Sequence, residues 1–160
     1  MPIRPAIPAD HAAIWRVLEP TIRAGETYAL PRDMPREEAI ALWTGPGQET
    51  FVAEDDGAVV GTYVLHPNQR GGGGHVANCG YMIAPDASGR GIGRRLCEHS
   101  LQAASDRGFK AMQFNFVVSS NAHAVHLWQS CGFAIVGRVP GAFLHPTLGY
   151  VDTLVTHRPL

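Results

Sequence analysis

Apolar and polar residues alternate with a period of two along residues 110–118, a pattern typical of a strand with one buried face. The face predicted to lie in the core carries Met112, Phe114, Phe116 and Val118. The opposite face presents the amides Gln113 and Asn115. This strand therefore has one apolar face and one face whose amide groups a ligand can reach.

Shorter apolar runs predict six further strands. They are placed near Ile3 and over residues 51–54, 59–65, 75–83, 135–139 and 150–156. The pair Asp56-Gly57, between the second and third strands, favours the tight turn of a β-hairpin. Four consecutive glycines at 71–74 predict a flexible linker, which is either a mobile flap beside a site or an ordinary surface loop.

Apolar residues spaced three and four positions apart predict four helices. The first begins near Asp10, a residue type suited to an N-cap, and Pro20 and Gly25 then bracket a segment without a clear pattern. The second begins near Pro35, ends at Gly45, and could form a lid over a ligand. The side chains that these two helices are predicted to turn inward are Ile14, Trp15, Leu18, Ile40, Leu42 and Trp43.

The third helix is predicted over residues 94–107, and the fourth follows Asn121 as its N-cap and ends at Gly132. The apolar face of the fourth helix consists of Ala124, Leu127, Trp128 and Cys131. The order of the elements predicts an α+β fold, with a mixed, mainly antiparallel sheet flanked by helices. A length of 160 residues is typical of one domain, which we expect to span residues 1–160.

Composition and charge favour small-molecule chemistry. A net charge of -1 and a pI near 6.7 argue against nucleic-acid or acidic-membrane partners. No apolar stretch is long enough to span a bilayer and the first residues lack a signal-peptide core, so we expect a cytoplasmic protein. Cys79, Cys97 and Cys131 form no C-x-x-C pair and are predicted to be reduced core residues. The histidines show no metal-ligand spacing, so no metal site is expected.

The segment Ser88-Gly-Arg-Gly-Ile-Gly-Arg94 joins a predicted strand to a predicted helix. Glycines allow left-handed backbone and close ligand approach, and the first turn of a helix offers unpaired N–H donors and a positive dipole. The segment therefore predicts a diphosphate cradle. It is not a Walker A loop, because no Gly-Lys-Ser/Thr closes it, and Leu96 stands where a dinucleotide loop needs its third glycine.

This loop, preceded by Ile83-Ala84-Pro85, resembles the acyl-CoA-binding loop of the GCN5-related N-acetyltransferase (GNAT) superfamily, although Ser88 stands where Gln or Arg is usual. Residues 121–133 resemble the superfamily's later helix, with Trp128 in place of a tyrosine that serves as general acid in many relatives. Indole cannot release a proton in that role. The resemblance implies acetyl-CoA as co-substrate and a homodimer. The cofactor-binding residues that it implies are Tyr81, Met82, Ile83, Gly89, Arg90, Gly91, Ile92, Gly93, Arg94, Asn121 and Trp128.

Short pieces between Gly61 and Leu160, including His66-Pro67-Asn68, are also similar to fungal acetyltransferases that act on L-azetidine-2-carboxylate and other proline analogues. This similarity implies direct attack of a small amino or imino acid on the thioester. Asn78 and Asn115 are the candidate catalytic residues, because an amide can donate to a carboxylate and accept from an amine.

Other functions stay open on the sequence. The acceptor could be another amine (a polyamine, an antibiotic or a protein N-terminus), or the chain could be a CoA-binding regulatory module without turnover. No general base is evident: Glu54, Asp55 and Asp56 cluster at a turn and are expected to be solvated. His75 is a candidate only because its ordinary pKa is near neutral.

Overall fold

The computed structural model describes residues 1–160 and contains seven strands and four helices. The strands are β1 (Ile3–Pro5), β2 (Glu49–Asp55), β3 (Ala58–Pro67), β4 (Val76–Ile83), β5 (Ala111–Val118), β6 (Ala134–His145) and β7 (Gly149–Pro159). The helices are α1 (His11–Ala24), α2 (Arg36–Thr44), α3 (Ile92–Asp106) and α4 (Ala122–Ser130). Short 3-10 turns cover Pro8–Asp10, Gly71–Gly73 and Pro85–Ala87.

The strands form one sheet in the order β1-β2-β3-β4-β5-β7-β6. Only β4 and β5 run parallel, and every other neighbouring pair is antiparallel, so the predicted α+β class is confirmed. β4 and β5 pair only at Val76 with Ala111 and at Ala77 with Met112. Beyond these pairs the two strands diverge, which leaves a gap in the middle of the sheet.

Helices cover both faces of the sheet. Phe51 and Ala53 belong to the core under α3 and α4, whereas Val52 between them belongs to the core under α1 and α2. Because successive strand residues point to opposite faces, the two cores lie on opposite sides of β2. The gap between β4 and β5 is therefore bordered on each face by a different pair of helices.

The β2–β3 hairpin turns at Asp56 and Gly57, both with positive φ (48° and 78°), as the sequence predicted.

α1 is longer than expected, because Pro20 lies inside it and the helix continues to Ala24. A proline removes one backbone donor from a helix, but burial of Val17, Leu18 and Ile22 holds the chain in register around it.

Two apolar side chains predicted to be buried are exposed instead. Leu42 is 47% exposed and Phe116 is 41% exposed. In β5 the register to β7 shifts between Phe114 and Val117, so one extra residue is accommodated there as a β-bulge. The bulge breaks the period-two pattern, and the prediction that Phe116 lies in the core is wrong.

Asp10 precedes α1 but does not cap it with its side chain. Its carboxylate instead accepts hydrogen bonds from both Arg4 Nη atoms (2.8 and 2.9 Å) and from the Ile7 N–H (2.8 Å). Arg4 also pairs with Glu54. The Arg4 guanidinium and then the Ile7 N–H hold the pKa of the Asp10 carboxyl below its ordinary value, against the opposing effect of burial.

Replacing Asp10 by Asn is expected to lower the free energy of unfolding by about 1–3 kcal/mol at pH 7, because charge-assisted hydrogen bonds are lost. A carboxyl with a depressed folded pKa stabilises the fold above its unfolded pKa, near 3.9, and loses that contribution as pH falls through the folded value. Urea unfolding at pH 7 and pH 3 measures this. The gap between wild type and variant should narrow at the lower pH, and a gap independent of pH would contradict the ionic origin.

Candidate active site

A cavity of about 580 Å³ opens where β4 and β5 diverge. Of its 27 lining residues 17 are hydrophobic, and none is Asp, Glu, Lys or Arg. The predicted site residues that line it are Asn78, Tyr81, Met82, Ile83, Gly93, Asn115, Asn121 and Trp128. The other predicted site residues form the loop before α3 and its first turn: Gly89, Arg90, Gly91, Ile92 and Arg94. Leu42 and Phe116 also line the cavity, which accounts for their exposure.

The N-terminus of α3 presents free backbone donors. Gly91 is the N-cap with a left-handed φ of 74°, and no side chain caps the helix. The Arg95 N–H already donates to the Gly91 carbonyl (3.3 Å), so the N–H groups of Ile92, Gly93 and Arg94 are the ones without an intrahelical acceptor. These donors, together with the positive end of the helix dipole, suit a diphosphate.

Two arginines of the loop have protein partners. Arg90 pairs with Asp55 at the end of β2. Arg94 donates through Nη2 to the hydroxyl of Ser130 on α4 (2.8 Å). The expectation that Glu54 and Asp55 are simply solvated is therefore wrong, since Arg4 and Arg90 pair with them.

Gly93 lets α3 approach both α4 and β4. A Cβ at this position would lie 2.9 Å from Leu127 Cδ2 and 3.3 Å from Ile83 Cδ1. The missing side chain thus brings the first turn of α3 next to the cavity. A glycine here is explained by packing as well as by ligand approach.

The register of β4 determines which backbone groups face the gap. The Ala84 N–H donates to the Val60 carbonyl (2.9 Å), and antiparallel pairs alternate, so Met82 also faces β3. The N–H and C=O of Tyr81 and Ile83 therefore point toward the gap. A backbone role for Met82 in binding a pantetheine arm does not fit this geometry, whereas one for Tyr81 and Ile83 does.

Tyr28, which the sequence did not single out, closes this part of the gap. Its hydroxyl donates to the Tyr81 carbonyl and accepts from the Tyr81 N–H, each at 2.8 Å. Its ring packs edge-on against Trp43, with ring centroids 6.3 Å apart. Burial raises the pKa of Tyr28 well above its ordinary value, so the side chain stays a neutral hydroxyl.

The two candidate catalytic amides meet through a third. Asn78 Nδ2 and Asn115 Nδ2 donate to the same oxygen, Asn68 Oδ1, at 3.0 and 2.7 Å. Gln113 Nε2 donates to Asn115 Oδ1 at 2.9 Å. The structure therefore brings Asn78 and Asn115 together at one end of the cavity, although they belong to diverging strands.

Trp128 and Asn121 are tied to the packing of α4. Trp128 is buried against Tyr81 and Phe114, with ring centroids 4.8 and 5.0 Å away. Asn121 caps α4 as predicted, because its Oδ1 accepts from the Ala124 N–H at 3.3 Å. Both side chains still reach the cavity wall.

Proton transfer has few candidates in this cavity. His75 is exposed and does not line it, so the structure does not support His75 as general base. His66 and His123 do line it. The three cysteines are free and buried, as expected, and burial raises the pKa of Cys79 to about 12.

Within residues 1–160, no group of three or more His, Cys, Asp or Glu side chains is placed to hold a metal ion. None of the helices combines the length and the apolar character needed to cross a membrane.

Comparison with known proteins gives consistent matches. The profile of the Acetyltransferase (GNAT) family matches residues 13–133. N-acetyltransferase aca1 of Schizosaccharomyces pombe is 29% identical over 151 residues, covering 84% of this chain and 72% of that protein. The L-amino acid N-acyltransferase MnaT of Escherichia coli is 29% identical over 145 residues, covering 88% of this chain and 83% of that protein.

A solved GCN5-related N-acetyltransferase from Kribbella flavida is 47% identical, with a TM-score of 0.94 over 99% of this chain and 97% of that one. Solved structures of the same fold include complexes with acetyl-CoA. The family match covers most of the chain, and it agrees with the loop at α3 and with the divergence of β4 and β5. The chain therefore belongs to the acetyltransferase (GNAT) family and is an N-acetyltransferase.

Proposed function

We propose that this enzyme transfers the acetyl group of acetyl-CoA to a small amino or imino acid, with a proline analogue as the favoured acceptor. Acetyl-CoA is the co-substrate consistent with the family. The observation that carries the acceptor proposal is the junction of Asn78 and Asn115 at one end of the cavity, through Asn68. The relative named an L-amino acid N-acyltransferase supports the same acceptor class.

The donor would lie along the gap between β4 and β5. Its diphosphate would accept from the N–H groups of Ile92, Gly93 and Arg94, with Gly89 and Gly91 giving the loop its left-handed turns. The pantetheine arm would pair with the backbone of Ile83 and Tyr81, whose N–H can polarise the thioester carbonyl. Because Tyr28 occupies the Tyr81 groups, its hydroxyl must turn aside for the donor.

The reaction is direct attack in a ternary complex. The neutral amine nitrogen attacks the thioester carbon, the C–N bond forms, and the C–S bond breaks to release CoA as thiolate. The proton lost by the amine goes to water, directly or through His66 or His123 in the cavity wall, and the thiolate takes one from water, since no carboxylate lines the cavity. Asn78 and Asn115 would hold the acceptor, which makes attack effectively intramolecular.

The lining also bears on the alternatives. A polyamine carries several positive charges, and a cavity without Asp or Glu offers it no counter-charge. The family assignment as an enzyme leaves a CoA-binding module without turnover unsupported. An antibiotic and a protein N-terminus stay open as acceptors, and an aminoglycoside and a short peptide in the panel of amines test them.

We also propose that residues 1–160 act as one domain, because β1, β6 and β7 join the same sheet as the family-matched region. The proposed setting is the cytoplasm, and the proposed assembly is a homodimer. The homodimer proposal is supported by apolar side chains left exposed on the β6–β7 hairpin: Val136, Leu144, Leu148 and Tyr150.

Thiol release from acetyl-CoA, with mass spectrometry of the products, tests the acceptor. The panel is azetidine-2-carboxylate, proline, primary amino acids, spermidine, an aminoglycoside and a short peptide. We expect the imino acids to give the highest kcat/KM. Turnover confined to spermidine, the aminoglycoside or the peptide would overturn the proposal.

Replacing Asn78 by Leu, which keeps the side-chain size, should lower kcat/KM for the acceptor about tenfold to a hundredfold, because polar contacts to the substrate are lost. The Kd for acetyl-CoA should not change, because the diphosphate cradle is intact. Gln69→Leu is the matched control, since Gln69 is exposed and lies outside the cavity. Equal kinetics for the two variants would remove Asn78 from the site.

A further inference from the structure

We infer that Asn68 is a positioning residue for acetyl transfer: its side-chain oxygen holds the amides of Asn78 and Asn115 in one orientation across the gap between β4 and β5. The inference rests on the proposed roles of those two amides. Asn68 itself does not line the cavity, so it would act through them and not on the substrate.

The backbone fixes Asn68 in place. It directly follows Pro67, the last residue of β3, and its N–H donates to the Val76 carbonyl at 2.8 Å. That bond extends the β3–β4 ladder by one pair beyond Pro67 and Ala77. The backbone of Asn68 is therefore held next to the paired residues of β4 and β5. Its side chain is partly buried.

The side chain then bridges the divergence. Asn68 Oδ1 accepts from Asn78 Nδ2 on β4 at 3.0 Å and from Asn115 Nδ2 on β5 at 2.7 Å. A carbonyl oxygen has two lone pairs, so these two bonds use its full accepting capacity. Asn115 lies in the bulged part of β5, where its position is not fixed by continuous pairing with β7. The bond to Asn68 supplies the missing constraint.

The two hydrogen bonds to Asn68 Oδ1 determine which atoms of Asn78 and Asn115 face an acceptor. One N–H of each amide is used by Asn68, and Asn115 Oδ1 accepts from Gln113. Asn78 Oδ1 has no protein donor among the side-chain hydrogen bonds and is free to accept an N–H of the amine. If Asn68 were apolar, both amides could rotate, and the amine would lose its defined direction toward the thioester.

Three variants test this. Asn68→Leu removes the shared acceptor and should lower kcat/KM for the acceptor about thirtyfold, as expected for two neutral hydrogen bonds. Asn68→Asp keeps an oxygen that both Nδ2 groups can reach, and Asn68 Nδ2 has no partner to lose, so we expect activity within about threefold of wild type. Gln69→Leu is the control for changing a neighbouring side chain. The Kd for acetyl-CoA and the melting temperature should be similar in all of them.

The ¹⁵N–¹H NMR signals of the Asn78 and Asn115 side-chain amides give a readout that needs no turnover. They are assigned by their loss in Asn78→Leu and Asn115→Leu. Both should move upfield in Asn68→Leu, where the shared acceptor is lost, and neither should move upfield in Asn68→Asp, where a carboxylate oxygen still accepts from both groups. Unmoved signals in Asn68→Leu would show that the bridge is absent, and moved signals with unchanged kinetics would refute the positioning role.

The same experiments separate the two proposals. If the wild type acetylates another amine of the panel and no imino acid, the proposed acceptor is wrong. The Asn68 series is then measured on the amine that is acetylated. A thirtyfold loss rescued by Asn68→Asp would still support the positioning role, and an equal rate for all variants would overturn it.

Discussion

Valine in place of Gly91 is expected to lower the affinity for acetyl-CoA about a hundredfold. Gly91 has a φ of 74°, and a β-branched residue is strained in this left-handed region. A Cβ added at position 91 would meet no protein atom within 4 Å, and in the proposed complex the diphosphate fills that space. Valine would therefore turn the donors of Ile92 and Gly93 away from the ligand and occupy part of its volume. Loss of two charge-assisted hydrogen bonds gives the expected size of the effect.

Gly108→Val is the matched control. Gly108 has a φ of 82°, and a Cβ added there would meet no atom within 4 Å, but it follows the C-terminal end of α3, opposite the glycine loop. Both variants should lose about 1–2 kcal/mol of stability through the same backbone strain. Calorimetric titration with acetyl-CoA then separates the effect of backbone strain from a loss of affinity for the ligand. Equal affinities for the two variants would mean that the N-terminus of α3 does not hold the diphosphate.

The parts of this fold that sequence reasoning predicts are those set by local physics. Asp56-Gly57 specifies the hairpin because both residues accept positive φ, and Asn121 caps α4 through its own side chain. The glycine loop is recognisable for the same reason, since left-handed residues and a free helix N-terminus lie within one short segment. Family resemblance then supplies the cofactor.

The parts that sequence reasoning misses depend on partners far along the chain. Tyr28 reaches Tyr81 across 53 positions, and nothing near Tyr28 distinguishes it from an ordinary loop residue. Asn68 meets Asn115 across 47 positions. Phe116 is exposed because β5 contains a bulge, and this bulge is visible only in the pairing of β5 with β7. A pattern of period two cannot show where an extra residue is inserted.

The packing around Trp128 explains why a tryptophan can stand where many relatives have a general acid. Trp128 occupies the position where the resemblance implies a tyrosine, and its ring is enclosed by Tyr81, Phe114 and Phe133. An indole N–H does not ionise in the accessible pH range. Trp128 therefore contributes packing between α4 and the sheet, and in the proposed reaction the departing thiolate takes its proton from solvent.

Trp128→Ala is accordingly expected to lower the free energy of unfolding by about 3–5 kcal/mol, the usual cost of emptying a buried aromatic site. Trp128→Phe keeps a ring against Tyr81 and Phe114 and should cost clearly less. Because neither indole nor benzene supplies a proton, Trp128→Phe should keep the pH dependence of kcat seen in the wild type. Urea unfolding and pH–rate profiles measure the two effects. A folded Trp128→Phe variant with a hundredfold lower kcat or a shifted profile would show that the indole acts in the chemical step, so packing alone could not account for tryptophan here.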